Sequence, residues 1–488
     1  MAAAAGCSPP TSSRPLRVVI CPWLAFGHML PYLELAERLA SRGHRLSYVS
    51  MPRNLSCLPP RRHADAIDLV VLPLPCVDGL PPGAESTNDI PADKLVHLWD
   101  AFDRLAAPFS EYLAATCAAE DKRPDWVLAD TFHHWDAAAA LEHGVPCAML
   151  EASAAMIAAA ACGASNHTGL TAATVYEEMA AVGDHRRRPA AMPKYEWESN
   201  AALFAPLGES GLSVARRCSM ALERCAIVAM RSCHEWELDA FTMAAKLLGK
   251  PLIPLGLLPP SPDGIGVHGD AAAVWWLDTQ PAKSVVYVAL GSEVPLPMEL
   301  VHELDHGLEL TETRFLWALR KPAGVPNDTD VLPQGFHERT RGRGLVVMGW
   351  VPQITILAHV AVGTFLTHCG RNSLIEGLMY GHPLIMLPIF ADQGPNARLM
   401  ARRNVGLLVP RNEDDGSFDR HGVACAVRAV MVEEGTRKIF VPNAMKMQEI
   451  VADKELHERY IDKSVQQLRS YITDGNSSTA VTLLPAET

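Results

Sequence analysis

The 488-residue chain has no apolar stretch long enough to cross a bilayer. A spanning helix needs about 20 apolar residues. The longest candidate, Ala152 to Ala164, is shorter and mostly alanine, so no stable membrane insertion is expected. An excess of basic charge is also missing. A net charge of −12 gives no electrostatic footprint for nucleic acid or an anionic membrane surface, and neither is expected as a partner. No two of the 12 cysteines form a C-x-x-C pair, and several sit inside apolar segments. They read as reduced thiols, not as a disulfide framework. Residues 1–15 lack a basic start followed by an apolar run, so no secretory leader is expected and the expected location is cytoplasmic. The N-x-[ST] triplets headed by Asn54, Asn166, Asn327 and Asn476 are then chance matches. No tandem repeat runs through the chain.

What is present is the composition of a soluble globular protein, 49% hydrophobic and 20% charged, at a length that suits two or three domains. An apolar strand, Val18 to Cys21, leads into a loop with Gly27 and His28. A helix is predicted from Leu30 to Arg42, with Leu33, Ala36 and Ala40 on one face and Gly43 closing it. A second strand, His44 to Ser50, completes a βαβ unit with parallel strands. A later strand, Trp126 to Ala129, ends at Asp130. A Pro- and Gly-rich stretch over 251–270 reads as a linker. Beyond it the alternation restarts, with strands at Ser284–Leu290, Arg314–Leu319, Leu345–Met348, Val362–Leu366 and Leu384–Leu387. The fold class is therefore α/β, in two halves with parallel sheets. Leu456, Tyr460, Ile461, Val465, Leu468 and Ile472 recur at helical spacing near the end.

Two familiar patterns carry little weight. Gly264, Gly266 and Gly269 spell G-x-G-x-x-G, but Pro259, Pro260 and Pro262 precede them where a strand is required. His302, Glu303 and His306 spell H-E-x-x-H on a segment where a surface helix is expected, and no third ligand stands out; no metal is expected. The informative segment is Trp350 to Gln393, WVPQITILAHVAVGTFLTHCGRNSLIEGLMYGHPLIMLPIFADQ. Its central strand ends at Thr367 and His368, and Gly370 and Asn372 then open a helix. Free N–H groups and the positive end of a helix dipole suit a diphosphate. His368 and Ser373 add side-chain donors, and Glu376 lies one turn on, placed for a ribose diol. Trp350 could stack on a base, and Asp392 and Gln393 could bind sugar hydroxyls.

That segment resembles the signature box of plant UDP-sugar glycosyltransferases, and the resemblance extends from VVICPWLAFGHMLP to the final helix. It implies a GT-B fold, two Rossmann-like domains facing across a cleft. The implied organisation is a disordered tail at 1–15, an acceptor-binding domain at 16–250, the linker at 251–270, a UDP-sugar-binding domain at 271–455, a helix at 456–473 crossing back to the first domain, and a disordered tail at 474–488. The implied donor set is Ser292, Trp350, Val351, Gln353, His368, Gly370, Arg371, Asn372, Ser373, Glu376, Asp392 and Gln393. The resemblance implies His28 as general base, oriented by Asp130, in an inverting reaction on a small-molecule acceptor. Arg371 departs from the family pattern, which carries Trp there, and a guanidinium suits a carboxylate. UDP-glucose is the expected donor, and UDP-glucuronate is the alternative. A non-catalytic UDP-binding protein is a further one. The stretches LPPGAESTND, FHHWDAAAALEHGVPC and ALGSE resemble members that add sugar to the sugar of a terpenoid or flavonoid glycoside. Glu85, Ser86, Asn88, Asp89 and His133 are the acceptor-binding candidates. A monomer is expected.

Overall fold

The computed structural model describes residues 14–155, 158, 192–237, 240–261, 271–293, 296–321 and 331–473. The Gly264–Gly269 glycines, most of the Ala152–Ala164 run, residues 1–13 and the stretch after Thr473 lie outside the described residues. Among the described residues no helix is long and apolar enough to cross a membrane.

Two all-parallel sheets carry the fold. The first has seven strands: β1 (Arg17–Cys21), β2 (Arg45–Ser50), β3 (Ile67–Val71), β4 (Trp126–Asp130), β5 (Cys147–Glu151), β6 (Ile227–Met230) and β7 (Leu252–Pro254), in the order β3-β2-β1-β4-β5-β6-β7. The second has six: β8 (Val285–Ala289), β9 (Arg314–Leu319), β10 (Gly344–Met348), β11 (Val362–Thr367), β12 (Leu384–Met386) and β13 (Gly406–Leu408), in the order β10-β9-β8-β11-β12-β13. Strands with helices on both faces are apolar throughout, and every residue of β4, β5, β6 and β8 is buried. Alternate residues feed opposite cores. Val19 and Cys21 of β1 join one, and Val18 and Ile20 join the other.

In each sheet the strand order reverses beside its first strand, between β1 and β4 and between β8 and β11. Open α/β sheets bind ligands at the carboxyl ends of the strands flanking such a reversal. Two structural details differ from the sequence expectations. The helix after β1 begins at Phe26, not Leu30, so His28 lies in its first turn. The stretch expected as a linker from 251 opens with β7, the edge strand of the first sheet.

The final helix, Lys454–Thr473, returns to the first half. Ile461, Val465 and Leu468 pack with Val18, Ile20 and Trp126. The Trp126 indole donates to the Leu468 carbonyl at 3.2 Å, and Arg42 pairs with both Glu458 and Asp462 at 2.6 Å.

Candidate active site

The first reversal point holds an imidazole and a carboxylate. Asp130 ends β4 and is fully buried. One of its oxygens accepts from the Trp23 N–H at 2.9 Å and lies 2.8 Å from His28 Nδ1. Burial pushes the Asp130 carboxyl up, but the neighbouring His28, its hydrogen bond, His133 and the Trp23 N–H together hold it below the ordinary carboxylate range. An ionised Asp130 can only accept, so Nδ1 of His28 donates and Nε2 carries the free lone pair. Burial also opposes charge on His28, but Asp130 outweighs it, with help from Glu293 and Glu151, and the imidazole sits above its ordinary value. The His28 side chain is 22% exposed.

Pro31 adds a detail that depends on missing chemistry. It lies inside the helix Phe26–Ala40 and has no N–H for the carbonyl four residues back, that of Gly27. The Asn372 side chain, from the other half, donates to that carbonyl at 3.3 Å. One backbone group beside His28 is thereby joined to the candidate donor box.

The second reversal point is built for a different charge. β11 ends at Thr367, and the chain turns through Cys369 at a φ of 66°, a conformation that costs a non-glycine residue strain. The helix Arg371–Met379 follows, with Gly370 at its start and no side chain capping its first N–H groups. His368 stands between two glycines. A Cβ at Gly291 would lie 2.7 Å from its Nε2, and one at Gly370 only 2.5 Å, so both positions need a hydrogen there. Burial lowers the His368 pKa to about 4 and leaves the imidazole neutral, with Nδ1 buried and unpartnered. Gln353 donates to a Glu376 oxygen at 2.6 Å and accepts from the Tyr287 hydroxyl at 3.1 Å. Burial raises Glu376 to about 7, against the pull of Gln353 and Arg231. Ser373 is buried nearby, and Ser292 follows β8 on the adjoining loop. Trp350 is 64% exposed, its ring 6.0 Å from that of Phe26 in the first half, while Val351 beside it is buried. Asp392 is raised by burial, opposed by the Asn396 hydrogen bond and by the charges of Arg371 and His28. Gln393 uses its carbonyl oxygen to hold the N–H groups of Ile389 and Phe390 at 2.8 and 3.1 Å.

Several candidates point elsewhere than expected. Arg371 is buried and donates to the Arg231 carbonyl at 3.1 and 2.9 Å and to the Glu237 carboxylate at 2.7 Å. Two of its nitrogens are thus held by the first half, and Nη1 is buried without a partner. The guanidinium is not free to grip a sugar carboxylate in a two-pronged contact. Glu85, Ser86 and Asp89 hold their own loop together. Asp89 accepts from the N–H groups of Glu85 and Ser86 at 3.0 Å each and from the Ser86 hydroxyl at 2.9 Å. Glu85 accepts from the Arg53 N–H at 2.6 Å. Asn88 does face the other half, since its carbonyl accepts from Arg320 at 3.2 Å. His133 is in the core against Phe102 and Trp135, and burial lowers its pKa to about 3. Its ring, Cys21 and Asp136 bring ligand atoms within 4.8 Å of one another. Burial pushes both that thiol and that carboxyl well up, which favours their neutral forms. In the H-E-x-x-H segment, Glu303 is paired with Arg420 and His306 Nδ1 lies 2.6 Å from the His302 carbonyl oxygen.

Four residues were not singled out from the sequence. Arg231 and Glu237 follow the apolar strand β6 in RSCHEWE; charges directly after a buried strand demand buried partners, which was the available signal. Glu293 sits beside His28, since a Cβ on Gly27 would come within 3.9 Å of its carboxylate. Arg320 directly follows β9 and reaches Asn88.

A family profile described as UDP-glucoronosyl and UDP-glucosyl transferase matches residues 270–466. The UDP-glycosyltransferase 91B1 of Arabidopsis thaliana is 38% identical over 485 residues, covering 94% of this chain and 98% of the relative. The soyasaponin III rhamnosyltransferase of Glycine max is 34% identical over 491 residues, covering 94% and 97%. The crystal structure of Arabidopsis thaliana UGT89C1 complexed with UDP-L-rhamnose superposes with a TM-score of 0.73 at 25% identity, covering 93% of this chain and 100% of that one.

Proposed function

The chain belongs to the plant UDP-glycosyltransferase family and has its GT-B fold, and from that premise we propose that it moves glucose from UDP-glucose to a hydroxyl on the sugar of a small glycoside. His28 Nε2 takes the proton of the acceptor hydroxyl as general base. Asp130 fixes the tautomer and stabilises the imidazolium that forms, without taking the proton itself. The freed oxygen attacks the anomeric carbon on the face opposite UDP and inverts its configuration. The departing diphosphate meets the uncapped helix start at Gly370 and the neutral His368. Gln353 and Glu376 hold the ribose, Trp350 stacks on uracil, and Asp392 and Gln393 hold the sugar.

The observation that carries this reading is the His28–Asp130 contact of 2.8 Å at one strand reversal, tied through Gly27 and Asn372 to the helix that opens the other. The donor assignment rests on Gln393, the residue typical of glucose users in the family pattern, and on the engagement of Arg371 away from the sugar. The acceptor assignment draws support from Asn88 and Arg320, which meet between the two halves and leave Asn88 Oδ1 and Arg320 Nη1 buried and unpartnered. Such atoms favour a ligand with hydroxyls over a purely apolar one. Mass spectrometry of products decides it, with UDP-glucose, UDP-glucuronate and UDP-L-rhamnose each offered to terpenoid and flavonoid glycosides and to the matching aglycones. A gain of one hexose on the glycosides supports the reading. A tenfold preference for another donor, or for the aglycones, overturns the corresponding half of it.

A further inference from the structure

Arg371 stands where the family pattern has Trp, and the structure gives that arginine a partner set of its own. Glu237 receives three donors: the Arg371 guanidinium at 2.7 Å, the Ser232 hydroxyl at 2.7 Å and the Ala155 N–H at 2.8 Å. The Arg371 and Glu237 side chains are each 4% exposed. The Arg371 guanidinium also lies 5.9 Å from the Trp236 ring centre. Arg231, whose carbonyl Arg371 holds, donates to the carbonyls of Leu257 and Leu258 and to the Asn372 side chain. Asn372 completes the run by donating to Gly27, the residue before His28. Glu237, Arg231 and Gly27 belong to the first half, and Arg371 and Asn372 open the candidate donor helix.

We propose that Glu237, Arg371, Arg231 and Asn372 form a latch, buried at its Glu237–Arg371 end, that sets the register between the general base and the donor, with Arg371 and Glu237 as positioning residues. The proposal rests on the reading of His28 and the donor box given above. A buried ion pair is weak evidence of stability, because desolvation offsets the Coulomb gain. Its use here is geometric. His28 and the anomeric carbon are carried by different halves, and near-attack geometry is lost with displacements of about 1 Å. Two adjacent residues at the start of one helix, each bonded to the opposite half, restrict sliding and rotation in a way that a single contact does not. A tryptophan at position 371 would offer Glu237 at most one neutral N–H donor and no charge. Burial, with the charge of Arg371, lowers the Arg231 pKa to about 9, still above neutral pH, and the Leu257 and Leu258 carbonyls accept from its guanidinium.

The test is kinetic. Glu237→Gln is isosteric and touches no expected substrate contact, and Arg371→Met removes the other partner. Each is expected to lower kcat about tenfold or more at saturating donor and acceptor. UDP affinity of Glu237→Gln by calorimetry should stay within about threefold, because Glu237 lies in the first half, away from the donor contacts. The ratio of UDP-glucose to UDP-glucuronate use should not change. The double variant should lose no more than the worse single one, since one latch is broken once. A folding defect alone would lower the thermal midpoint and leave kcat of the folded enzyme intact. Should Arg371→Met fail to fold, Glu237→Gln carries the test. Unchanged kcat or a tenfold rise in the UDP dissociation constant in Glu237→Gln, multiplied losses in the double variant, or a tenfold change in donor ratio each overturns the latch. If the wild type transfers no sugar, or if His28→Ala transfers normally, the reading of the active site fails instead.

Discussion

The two halves repeat one topology and hold opposite electrostatics at the same place in it. Beside β1 and β4, burial is overcome by partners: Asp130 is held ionised and His28 is raised above its ordinary value. Beside β8 and β11, burial wins. His368 falls to about 4, so it is neutral near neutral pH, and Glu376 rises to about 7, so it is poised between its two forms there. The difference follows from what each carboxyl or imidazole touches. Asp130 and His28 touch each other. Neither His368 nor Glu376 has a charged group in hydrogen-bond contact; Glu376 meets the Gln353 amide, and His368 meets two glycines. Strand order places a site, and the side chains at the strand ends decide its chemistry. A carboxylate–imidazole pair is suited to moving a proton, and a neutral imidazole beside a helix start is suited to receiving a diphosphate.

The sharpest way to break this division is to disable one half and assay the other. His28→Ala is expected to lower transfer about 10²- to 10⁴-fold, the usual range for loss of a general base, while calorimetry shows UDP bound as in the wild type. Turnover near normal would remove His28 from the mechanism. Glu376→Ala is expected to weaken UDP binding by roughly 1.5 to 3 kcal/mol, the scale of a hydrogen bond to a charged group. An unchanged dissociation constant would take Glu376 out of the ribose site. The smallest effect concerns the loop whose polarity suggested a sugar site. Ser86→Ala is expected to cost about 0.5 to 2 kcal/mol of stability, the scale for removing an N-cap hydroxyl, read as a lowered thermal midpoint with the acceptor KM unmoved. A raised acceptor KM without loss of stability would restore Ser86 to the acceptor site.

These cases also show how much was legible in the sequence. His28, Asp130 and the run from Trp350 to Gln393 are local: a strand ends, a glycine or acid follows, and the structure places His28 and Asp130 beside one strand reversal and His368 beside the other. The strand Arg314–Leu319 has the bounds that its apolar run implies. The short strands β3, β5, β6, β7 and β13 were not singled out, because three to five apolar residues look alike in strands, helices and loops. The direction of Arg371 was not legible at all, since it depends on Glu237 and Arg231, far upstream in the chain. For His133 the sequence left pocket wall and core packing alike, and the structure packs its ring edge-on against Phe102. The loop at 85–89 did carry its own signal. Ser86 and Asp89 have capping-box spacing, and the structure forms that box.

The division of labour is tested most directly by measuring two pH profiles on the same samples, of transfer and of UDP affinity, for the wild type and Asp130→Asn. In the wild type, transfer should rise with pH through an apparent pKa above the ordinary histidine value, because His28 must lose its proton to act and Asp130 holds that proton on. UDP affinity should rise through a pKa near 7, as Glu376 ionises to accept from the ribose. In Asp130→Asn the transfer limb should move to lower pH, with a reduced plateau, while the UDP limb stays in place. If both limbs moved together, or if neither did, the two halves would not hold separate chemistry and the account would be wrong.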